Sequence, residues 1–258
     1  MKRLSAPLLA ALLSLGTASA DEFQFAMQQY PPFNYQARGG SEIIGPMADV
    51  TMAVCTSIQA QCSIVILPWR RATKMAESGE IDGVLSILPT SNREAKYFFS
   101  ANVMETAYSF FAPARSTFFY RQPKDLDNHL VAVYGPSGTS IALEELLKSN
   151  ATARAVIEID NITVLRKLAA GRYGDDNAVV AAMNRDVGLY LMKTEKISGI
   201  KPSGDFQKIG YSIGFSKARV SEARFKEFND ALKESIKDGT VRAILDRYGM
   251  RTATPSSP

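Results

Sequence analysis

Residues 64–87 read IVILPWRRATKMAESGEIDGVLSI, and this stretch decides the fold class. Its first four residues form a continuous apolar run, typical of a strand that is buried on both faces of a parallel sheet. Pro68 ends that run, residues 69–78 have a helical pattern, and Gly79 stands just past the helix end. Residues 81–87 form the next predicted strand. The stretch therefore predicts a strand, a covering helix and a second parallel strand.

The same alternation continues on both sides of this stretch. Upstream, an apolar run at 23–27 is followed by two prolines that exclude helix, and Met47, Val50 and Val54 then recur at helical spacing. Two such α/β units in one chain predict two lobes, followed by an amphipathic helical region at 221–248. The second unit consists of predicted strands at 107–112, 130–134, 156–159 and 178–182 and predicted helices at 141–148 and 164–170.

The first twenty residues are predicted to be a secretory signal peptide that is not part of the fold. Lys2 and Arg3 precede an apolar run at 6–15, and Ala18-Ser19-Ala20 forms a small-residue cleavage box, so we expect the mature chain to begin at Asp21. The apolar run is shorter than the roughly 20 residues that span a bilayer. No Cys follows the box to carry a lipid anchor. We therefore expect release into the periplasm.

The charge and the metal-binding residue types exclude several classes of partner. The formal net charge of the 258 residues is +4 at pH 7, and two of the positive charges lie in the predicted signal peptide. The remaining basic residues are scattered among acidic ones, so neither nucleic acid nor an anionic membrane is an expected partner. One histidine and two cysteines are too few for a zinc site built by the protein. No metal and no cofactor is predicted.

The two cysteines, Cys55 and Cys62, lie in one short stretch. An exported chain favours a disulfide between them. On one continuous helix their Cα atoms would be about 10 Å apart, whereas a disulfide needs them within about 7 Å. If the bond forms, the helix that carries Cys55 must therefore end, and the chain must fold back before Cys62. Two buried free thiols are the alternative.

Two loops that follow predicted strands carry residues suited to binding an anion. Open parallel sheets bind ligands in such loops. The first runs from Ser86 to Arg93, where the arginine can hold a carboxylate bidentately and Thr90 can add a hydroxyl. A solvated arginine is the alternative there. The second, residues 135–140, opens a helix, and its glycines and free N–H groups form an anion site at Thr139 and Ser140. A plain capped helix start is the alternative there.

Three aromatic residues form the third candidate set. Tyr30, Phe33 and Trp69 all lie in predicted connections between a strand and a helix. Taken singly, each is more typical of a core residue than of a ligand wall. Their shared position favours a cleft.

The ordered motifs of the chain resemble those of the family 3 extracellular solute-binding proteins, the polar amino-acid receptors of ABC importers. Each motif is weak alone, but the ordered set is specific and covers nearly all of residues 23–249. The motifs are Tyr30-Pro31-Pro32-Phe33, Gly45 to Asp49, Pro68-Trp69, Gly79 to Gly83, Thr90 to Arg93, and later segments at 125–126, 131–133, 138–140, 170–172 and 238–249.

The resemblance implies the type II periplasmic-binding-protein fold. Such proteins have two α/β lobes, each a mostly parallel sheet flanked by helices, and two crossover strands serve as hinges. Lobe one would comprise residues 21–111 and 214–251, lobe two residues 112–213, and residues 252–258 a flexible tail. The spacing of Cys55 and Cys62 also resembles the disulfide of the histidine- and lysine/arginine/ornithine-binding members.

The resemblance also assigns roles to residues of the candidate loops. Arg93 matches the arginine that grips the α-carboxylate of the ligand, and the Thr139-Ser140 loop matches the lobe-two helix start that completes the grip. Tyr30 matches the aromatic residue stacked on the ligand side chain, and Trp69 falls at another wall. The implied function is a monomeric receptor that closes on a small carboxylate-bearing molecule and serves an inner-membrane ABC permease.

Two positions depart from the family pattern. Amino-acid-binding members usually offer the ligand ammonium a Ser or Thr shortly before the arginine, and an Asp after the lobe-two Gly-Arg motif. Here the first position is Leu88, and the second falls near Ala182, with Asn184, Arg185 and Asp186 just beyond. An unpaired ammonium against Leu and Ala would cost about 1–3 kcal/mol. Our hypothesis is that carboxylate recognition is kept and ammonium recognition is weakened or rebuilt, as for a modified amino acid, an opine-like or peptide-like compound, or another organic acid.

Two further functions on the same scaffold stay open. Cyclohexadienyl dehydratases resemble the family, and such an enzyme needs a positioned acid or base in the cleft. No catalytic residue is predicted, because the sequence points to no such group. A soluble subunit of a ligand sensor is the other alternative.

Overall fold

A computed structural model of the chain describes residues 22–37, 39–150 and 152–252. The predicted signal peptide, its cleavage site after Ala20, and the predicted tail from residue 253 onward lie outside the described residues. Among the described residues, no helix combines the length and the apolar character needed to cross a membrane.

The first half of the chain alternates strands and helices, as its sequence predicts. The strand β1 (Glu22–Met27) pairs in parallel with β4 (Gln61–Ile66) on one side and with β5 (Gly83–Ile87) on the other. This confirms the parallel arrangement predicted from residues 64–87. The predicted burial of the first of these strands on both faces is wrong, because β4 is an edge strand whose residues alternate between exposed and half-buried, with Val65 45% exposed. In chain order, the elements are β1 Glu22–Met27, β2 Tyr35–Gln36, β3 Ile43–Ile44, α1 Pro46–Ser57, β4 Gln61–Ile66, α2 Trp69–Glu77, β5 Gly83–Ile87, α3 Ser91–Glu94 and β6 Tyr97–Phe99.

A second α/β unit follows. Its elements are β7 Met104–Pro113, a 3-10 turn Pro123–Leu126, β8 Leu130–Tyr134, α4 Gly138–Leu147, β9 Arg154–Glu158, α5 Asn161–Ala169, β10 Val179–Asn184 and α6 Arg185–Thr194. β8 pairs in parallel with both β9 and β10. β10 pairs antiparallel with β7.

The two units are joined by β7 and by one long strand, β11 Ile200–Ser216. β11 pairs with β7 as far as Tyr211, and from Ser212 onward it pairs with β5 and β6. The chain therefore forms the two-lobed α/β fold that the sequence predicts. The chain ends in α7 Glu222–Lys237, α8 Thr240–Arg247 and β12 Arg251–Thr252. The residue boundaries predicted for the lobes, 21–111 with 214–251 and 112–213, stay a prediction.

Side-chain caps explain why two helices of the second unit begin before their predicted starts. Ser137 accepts the backbone N–H of Ser140 at 3.1 Å, so α4 begins at Gly138 instead of residue 141. Asp160 accepts the backbone N–H of Thr163 at 2.6 Å, so α5 begins at Asn161 instead of residue 164. In each case the cap satisfies a first-turn N–H that would otherwise lack an acceptor.

Aromatic packing holds the first lobe together. Phe23, Phe25, Phe215 and Phe228 are almost completely buried. Their ring centroids lie 4.9–6.0 Å apart in a mutually contacting cluster. Burial of each such ring contributes about 1.5–3 kcal/mol. The cluster ties β1 to β11 and α7, so the C-terminal helices belong to the same lobe as the N-terminal strand.

The predicted disulfide is present. Cys55 and Cys62 are bonded, and their Cα atoms lie 6.2 Å apart. As their spacing requires, α1 ends at Ser57, the chain turns with Gln59 at a φ of 56°, and β4 begins at Gln61. The bond therefore fixes the end of α1 against the edge strand of the first lobe.

Candidate ligand-binding site

A cavity of about 580 Å³ lies between the two lobes and is lined by residues of both. On the first lobe, its lining follows the carboxyl ends of β1, β4 and β5. On the second lobe, it follows the carboxyl ends of β8, β9 and β10. Ligands bind at this end of the strands in open parallel sheets. The volume is in the range of small-molecule sites.

Arg93 lines the cavity from the first lobe, and two contacts orient it. Its Nη1 donates to the Leu88 carbonyl oxygen at 2.9 Å, and its guanidinium carbon lies 5.7 Å from the centroid of the Trp69 ring. Trp69 and Leu88 line the cavity as well. No carboxylate pairs with Arg93 within the described residues. The remaining guanidinium donors are therefore available to an anionic ligand.

The start of α4 lines the cavity from the second lobe. The backbone N–H groups of Gly138 and Thr139 have no acceptor within the described parts of the chain, as is usual in the first turn of a helix. The Ser140 hydroxyl, by contrast, is part of the cap, because its Oγ accepts the Ser137 N–H at 2.8 Å and donates to the Ser137 carbonyl oxygen at 2.9 Å. Exposed N–H groups at a helix start favour an anion.

Tyr108 joins these two parts of the site. A Cβ atom at Gly138 would lie 2.5 Å from the Tyr108 hydroxyl, so this hydroxyl sits directly against the helix start and only glycine fits there. Burial raises the pKa of Tyr108 above its usual value of 10, and the positive charge of Arg93 partly offsets this rise. Tyr108 is therefore a neutral hydroxyl at physiological pH and lies within the electrostatic reach of Arg93.

Two further tyrosines, Tyr30 and Tyr211, line the cavity as a hydrogen-bonded pair. Their hydroxyl oxygens lie 3.2 Å apart. Loss of solvation on burial raises the pKa of both above 10, and for Tyr211 well above it. Phe33 supports both rings, with centroid distances of 5.1 Å to Tyr30 and 5.0 Å to Tyr211. The pair therefore offers neutral hydroxyls to a ligand at neutral pH.

Ser86 lies at the cavity with a left-handed backbone, at a φ of 58°. A residue other than glycine in this region is unusual and costs roughly 1–2 kcal/mol. Its hydroxyl donates to the Oδ1 of Asn34, a fully buried residue. The Nδ2 of Asn34 in turn donates to the Gln28 carbonyl oxygen at 2.7 Å. These bonds hold the Ser86 conformation and tie the end of β5 to the loop after β1.

Asn184 ends β10 and caps α6 at the second-lobe wall. Its Oδ1 accepts the backbone N–H groups of Asp186 at 3.0 Å and Val187 at 3.2 Å. Its Nδ2 is buried and has no hydrogen-bond partner within the described residues. Ala182, near which the resemblance places the ammonium-binding position, is fully buried in the second-lobe core and is not among the lining residues. Of these two positions, Asn184 is therefore the one at the cavity.

The structure brings most of the predicted site residues together at this cavity. Those that line it are Tyr30, Trp69, Ser86, Arg93, Thr139 and Asn184. Phe33, Thr90 and Ser140 are not part of the described lining. Phe33 is completely buried beneath the tyrosines, Thr90 is exposed at the start of α3, and Ser140 caps α4. We therefore leave these three out of the proposed ligand contacts.

Sequence reasoning missed Tyr108 and Tyr211. Both lie within strands that connect the lobes, not in loops after strands. The sequence signal for these two residues is a tyrosine within a mostly apolar segment. A search that considers only the ends of strands does not find such positions.

A two-lobed α/β fold with a cavity between the lobes is the architecture of the type II solute-binding proteins. The chain belongs to the bacterial extracellular solute-binding proteins, family 3, whose family profile matches residues 24–251. The ABC transporter arginine-binding protein 1 of Escherichia coli (strain K12) is 22% identical over 96% of this chain and 99% of its own length. The arginine-binding periplasmic protein of Mannheimia haemolytica is 24% identical over 90% of this chain and 92% of its own length.

Solved structures share the fold at low sequence identity. An ancestral arginine-binding protein bound to arginine is 19% identical, with a TM-score of 0.69 over 88% of this chain and 97% of that chain. An ancestral amino-acid-binding protein, a precursor of cyclohexadienyl dehydratase, is 18% identical, with a TM-score of 0.69 over 88% and 94%. A histidine kinase sensor domain is 19% identical, with a TM-score of 0.72 over 91% and 99%. At these identities the likeness establishes the fold alone.

Proposed function

We propose that this protein is a periplasmic receptor that captures a small carboxylate-bearing molecule, an amino acid or a derivative of one, and delivers it to an ABC importer in the inner membrane. The family membership and the arginine-binding relatives support this class of ligand and of partner. The receptor acts as a monomer without catalysis, and its mature form begins at Asp21.

One observation carries the proposal. Arg93 of the first lobe and the free N–H groups of Gly138 and Thr139 at the start of α4 in the second lobe line the same cavity. A carboxylate between them receives guanidinium bonds from one lobe and backbone bonds from the other. Because the ligand then bridges both lobes, its binding stabilises the closed arrangement over the open one.

The environment of Arg93 favours a binding role over a solvated surface role. The Leu88 carbonyl and the Trp69 ring hold the guanidinium in one orientation before any ligand arrives. Such preorganisation lowers the entropy cost of binding. The neutral hydroxyls of Tyr30, Tyr108 and Tyr211 add donors to the same cavity without adding charge.

The proposal is tested with mature protein that has been unfolded and refolded to remove any bound ligand. A panel of amino acids, their derivatives and other organic acids is screened by thermal shift, and hits are measured by calorimetry. A ligand at 100 times its Kd adds about 2.7 kcal/mol to the free energy of unfolding. Solution scattering of the same hits should show a smaller radius of gyration with ligand than without it.

Arg93→Ala and Arg70→Ala form the matched pair of variants. Arg70 is an exposed arginine in the first turn of α2 that does not line the cavity between the lobes. Loss of charged hydrogen bonds worth about 1.5–3 kcal/mol predicts at least tenfold weaker binding for Arg93→Ala. Arg70→Ala should bind as the parent does. Equal affinity of both variants for every hit would contradict the proposed site.

A further inference from the structure

The hydrogen bonds of Asn184 decide which of its two terminal side-chain atoms is the nitrogen, and this nitrogen is a buried donor. The side-chain oxygen accepts two backbone N–H groups at the start of α6, and only an oxygen can accept those bonds. The nitrogen is therefore the atom left without a partner within the described residues, although Asn184 is only 2% exposed. A buried donor without an acceptor is unfavourable. A molecule in the cavity that supplies an acceptor removes this penalty.

The unpaired donor lies at the carboxylate end of the cavity. Asn184 is directly opposite Tyr108 in the register of β10 and β7. The Tyr108 hydroxyl lies against Gly138 at the start of α4, and Arg93 influences its titration. The amide thus lies on the strand beside Tyr108 and lines the same cavity as the groups that are proposed to hold the carboxylate. The ligand atom that meets it belongs to the part of the ligand beside that carboxylate.

An ammonium group at this position would find no buried carboxylate in the described lining. The one carboxylate of that lining, Asp160, is exposed and caps α5 through the Thr163 N–H at 2.6 Å. Asp186 does not line the cavity. Its carboxylate accepts the Thr106 hydroxyl and lies 3.9 Å from the Arg185 Nε. Burial is the main cause of the raised pKa of Tyr30 and Tyr211, and the charge of Asp186 is the smallest of the contributions.

The wall of the first lobe does not supply a charge either. Leu88 presents an apolar side chain to the cavity, and its carbonyl oxygen already accepts a bond from Arg93. An ammonium beside Arg93 would thus face a cation and an amide donor, both of which repel it. An uncharged oxygen would accept a hydrogen bond from the amide at no such cost.

We propose that the ligand carries an uncharged oxygen acceptor on the carbon next to its carboxylate, as 2-oxo and 2-hydroxy acids do, and that the Asn184 amide recognises this oxygen. The inference rests on the proposed function, since Arg93 and the start of α4 hold the carboxylate. The preferred ligands are then the analogues of amino acids in which oxygen replaces the amino group. Asn184 acts as a specificity-determining residue.

The test compares ligands in pairs that share one side chain. Refolded, ligand-free protein is titrated by calorimetry with glutamate and 2-oxoglutarate, leucine and 4-methyl-2-oxopentanoate, phenylalanine and phenylpyruvate, and arginine and its 2-oxo analogue. The 2-hydroxy acids and the N-acetyl amino acids complete each series. In the pair whose side chain fits the cavity, we expect the oxo or hydroxy acid to bind about tenfold or more tightly than the amino acid.

Asn184→Asp is the decisive variant because aspartate keeps the cap of α6 and replaces the amide donor with a negative charge. It should reverse the preference, weakening the oxo acid and strengthening the amino acid by about tenfold each. Asn177→Asp is the matched control, because Asn177 is an exposed residue of the second lobe that does not line the cavity. It adds the same charge and should leave the ratio within each pair unchanged.

The outcomes separate this inference from the function on which it rests. If the amino acid binds as tightly as its oxo and hydroxy analogues in every series, or if Asn184→Asp leaves the ratio unchanged, the inference is overturned and carboxylate capture by Arg93 stands. If no carboxylate in any series binds, both are overturned. A tighter N-acetyl amino acid than oxo or hydroxy acid would also overturn it, because that ligand carries an N–H donor, and not an oxygen acceptor, on the carbon next to its carboxylate.

Discussion

The Tyr30 hydroxyl lies 3.2 Å from the Tyr211 hydroxyl, and this contact bonds the loop after β1 to the strand that joins the two lobes. Tyr211 is the last residue of β11 that pairs with β7, and its neighbour Ser212 already pairs with β5. The contact therefore lies where the chain passes from one lobe to the other. A side chain at the wall of the cavity is thereby bonded to the strand that joins the two lobes.

Removing one hydroxyl of this pair should affect both folding and binding. Tyr211→Phe leaves the Tyr30 hydroxyl without its partner, and we expect the free energy of unfolding to fall by about 1 kcal/mol. Affinity for the ligand should fall severalfold, because the cavity wall loses a positioned donor. Urea denaturation and calorimetry measure the two effects. Tyr35→Phe is the control, since the Tyr35 hydroxyl makes no hydrogen bond within the described residues, and similar losses in the two variants would contradict the role of the pair.

The disulfide should stabilise the first lobe without shaping the site. Neither Cys55 nor Cys62 lines the cavity. In the chain-entropy model, closing so short a loop contributes about 2.5 kcal/mol. The Cys55→Ala/Cys62→Ala double variant should therefore unfold at lower temperature and lower urea concentration and keep its ligand affinity at 25 °C. Reduction of the parent protein should reproduce the loss of stability, and a large loss of affinity in the folded variant would show that the bond also positions the site.

Much of this fold was predictable because its information is local. Residues 64–87 contain two strand-forming runs, a proline stop and a glycine just past a helix, and each feature constrains the chain without reference to distant residues. The burial of the first run was not predictable in this way, because its position at the sheet edge depends on how the strands are ordered. β11 was not predicted as one long strand. It contains Pro202, Gly204 and Gly210, which weaken a strand signal, and its pairing with β7 and then β5 is set by the arrangement of the lobes.

The candidate site was predictable in position but not in the direction of its side chains. The sequence locates Tyr30 and Phe33 in one loop, but only packing decides that Tyr30 reaches the cavity and Phe33 supports it from below. Likewise, Ser140 lies in the correct loop, yet its hydroxyl is taken by the cap of α4. Residue type and spacing give the neighbourhood of a ligand, whereas the orientation of each side chain depends on contacts with residues far away in the sequence.

A buried carboxylate, Asp82, is expected to be a main contributor to the stability of the first lobe. It is completely buried, accepts the Gln24 N–H at 2.8 Å, and lies 3.0 Å from the Arg224 Nη1 and 3.2 Å from the Arg219 Nε. Asp82→Asn removes the charge that these two guanidinium groups face. Because both arginines are partly solvated, we expect a loss near the lower end of the usual range, about 3 kcal/mol in urea denaturation.

The control for Asp82→Asn is Asp230→Asn. Asp230 is an exposed carboxylate on α7 that pairs with Lys226. Exposed pairs contribute about 0–1 kcal/mol, so this variant should unfold almost as the parent does. Neither residue lines the cavity, and ligand affinity should be unchanged in both folded variants. Equal stability of the two variants would mean that the buried charge contributes no more than a surface pair.

The close approach of Tyr108 to Gly138 predicts that one substitution will have opposite effects in two backgrounds. With tyrosine at 108, alanine at 138 places its Cβ 2.5 Å from the hydroxyl oxygen, so the ring or the start of α4 must move. We expect Gly138→Ala to cost about 1–3 kcal/mol of stability and to weaken ligand binding, because the displaced groups are the N–H donors of the site.

In the Tyr108→Phe background, the nearest remaining atom is the ring carbon at 3.6 Å, an ordinary contact. Alanine is a better helix former than glycine by about 0.5–1 kcal/mol, so Gly138→Ala should there be neutral or stabilising. A double-mutant cycle by urea denaturation measures this change of sign, and equal effects of Gly138→Ala in both backgrounds would place the hydroxyl away from the helix start.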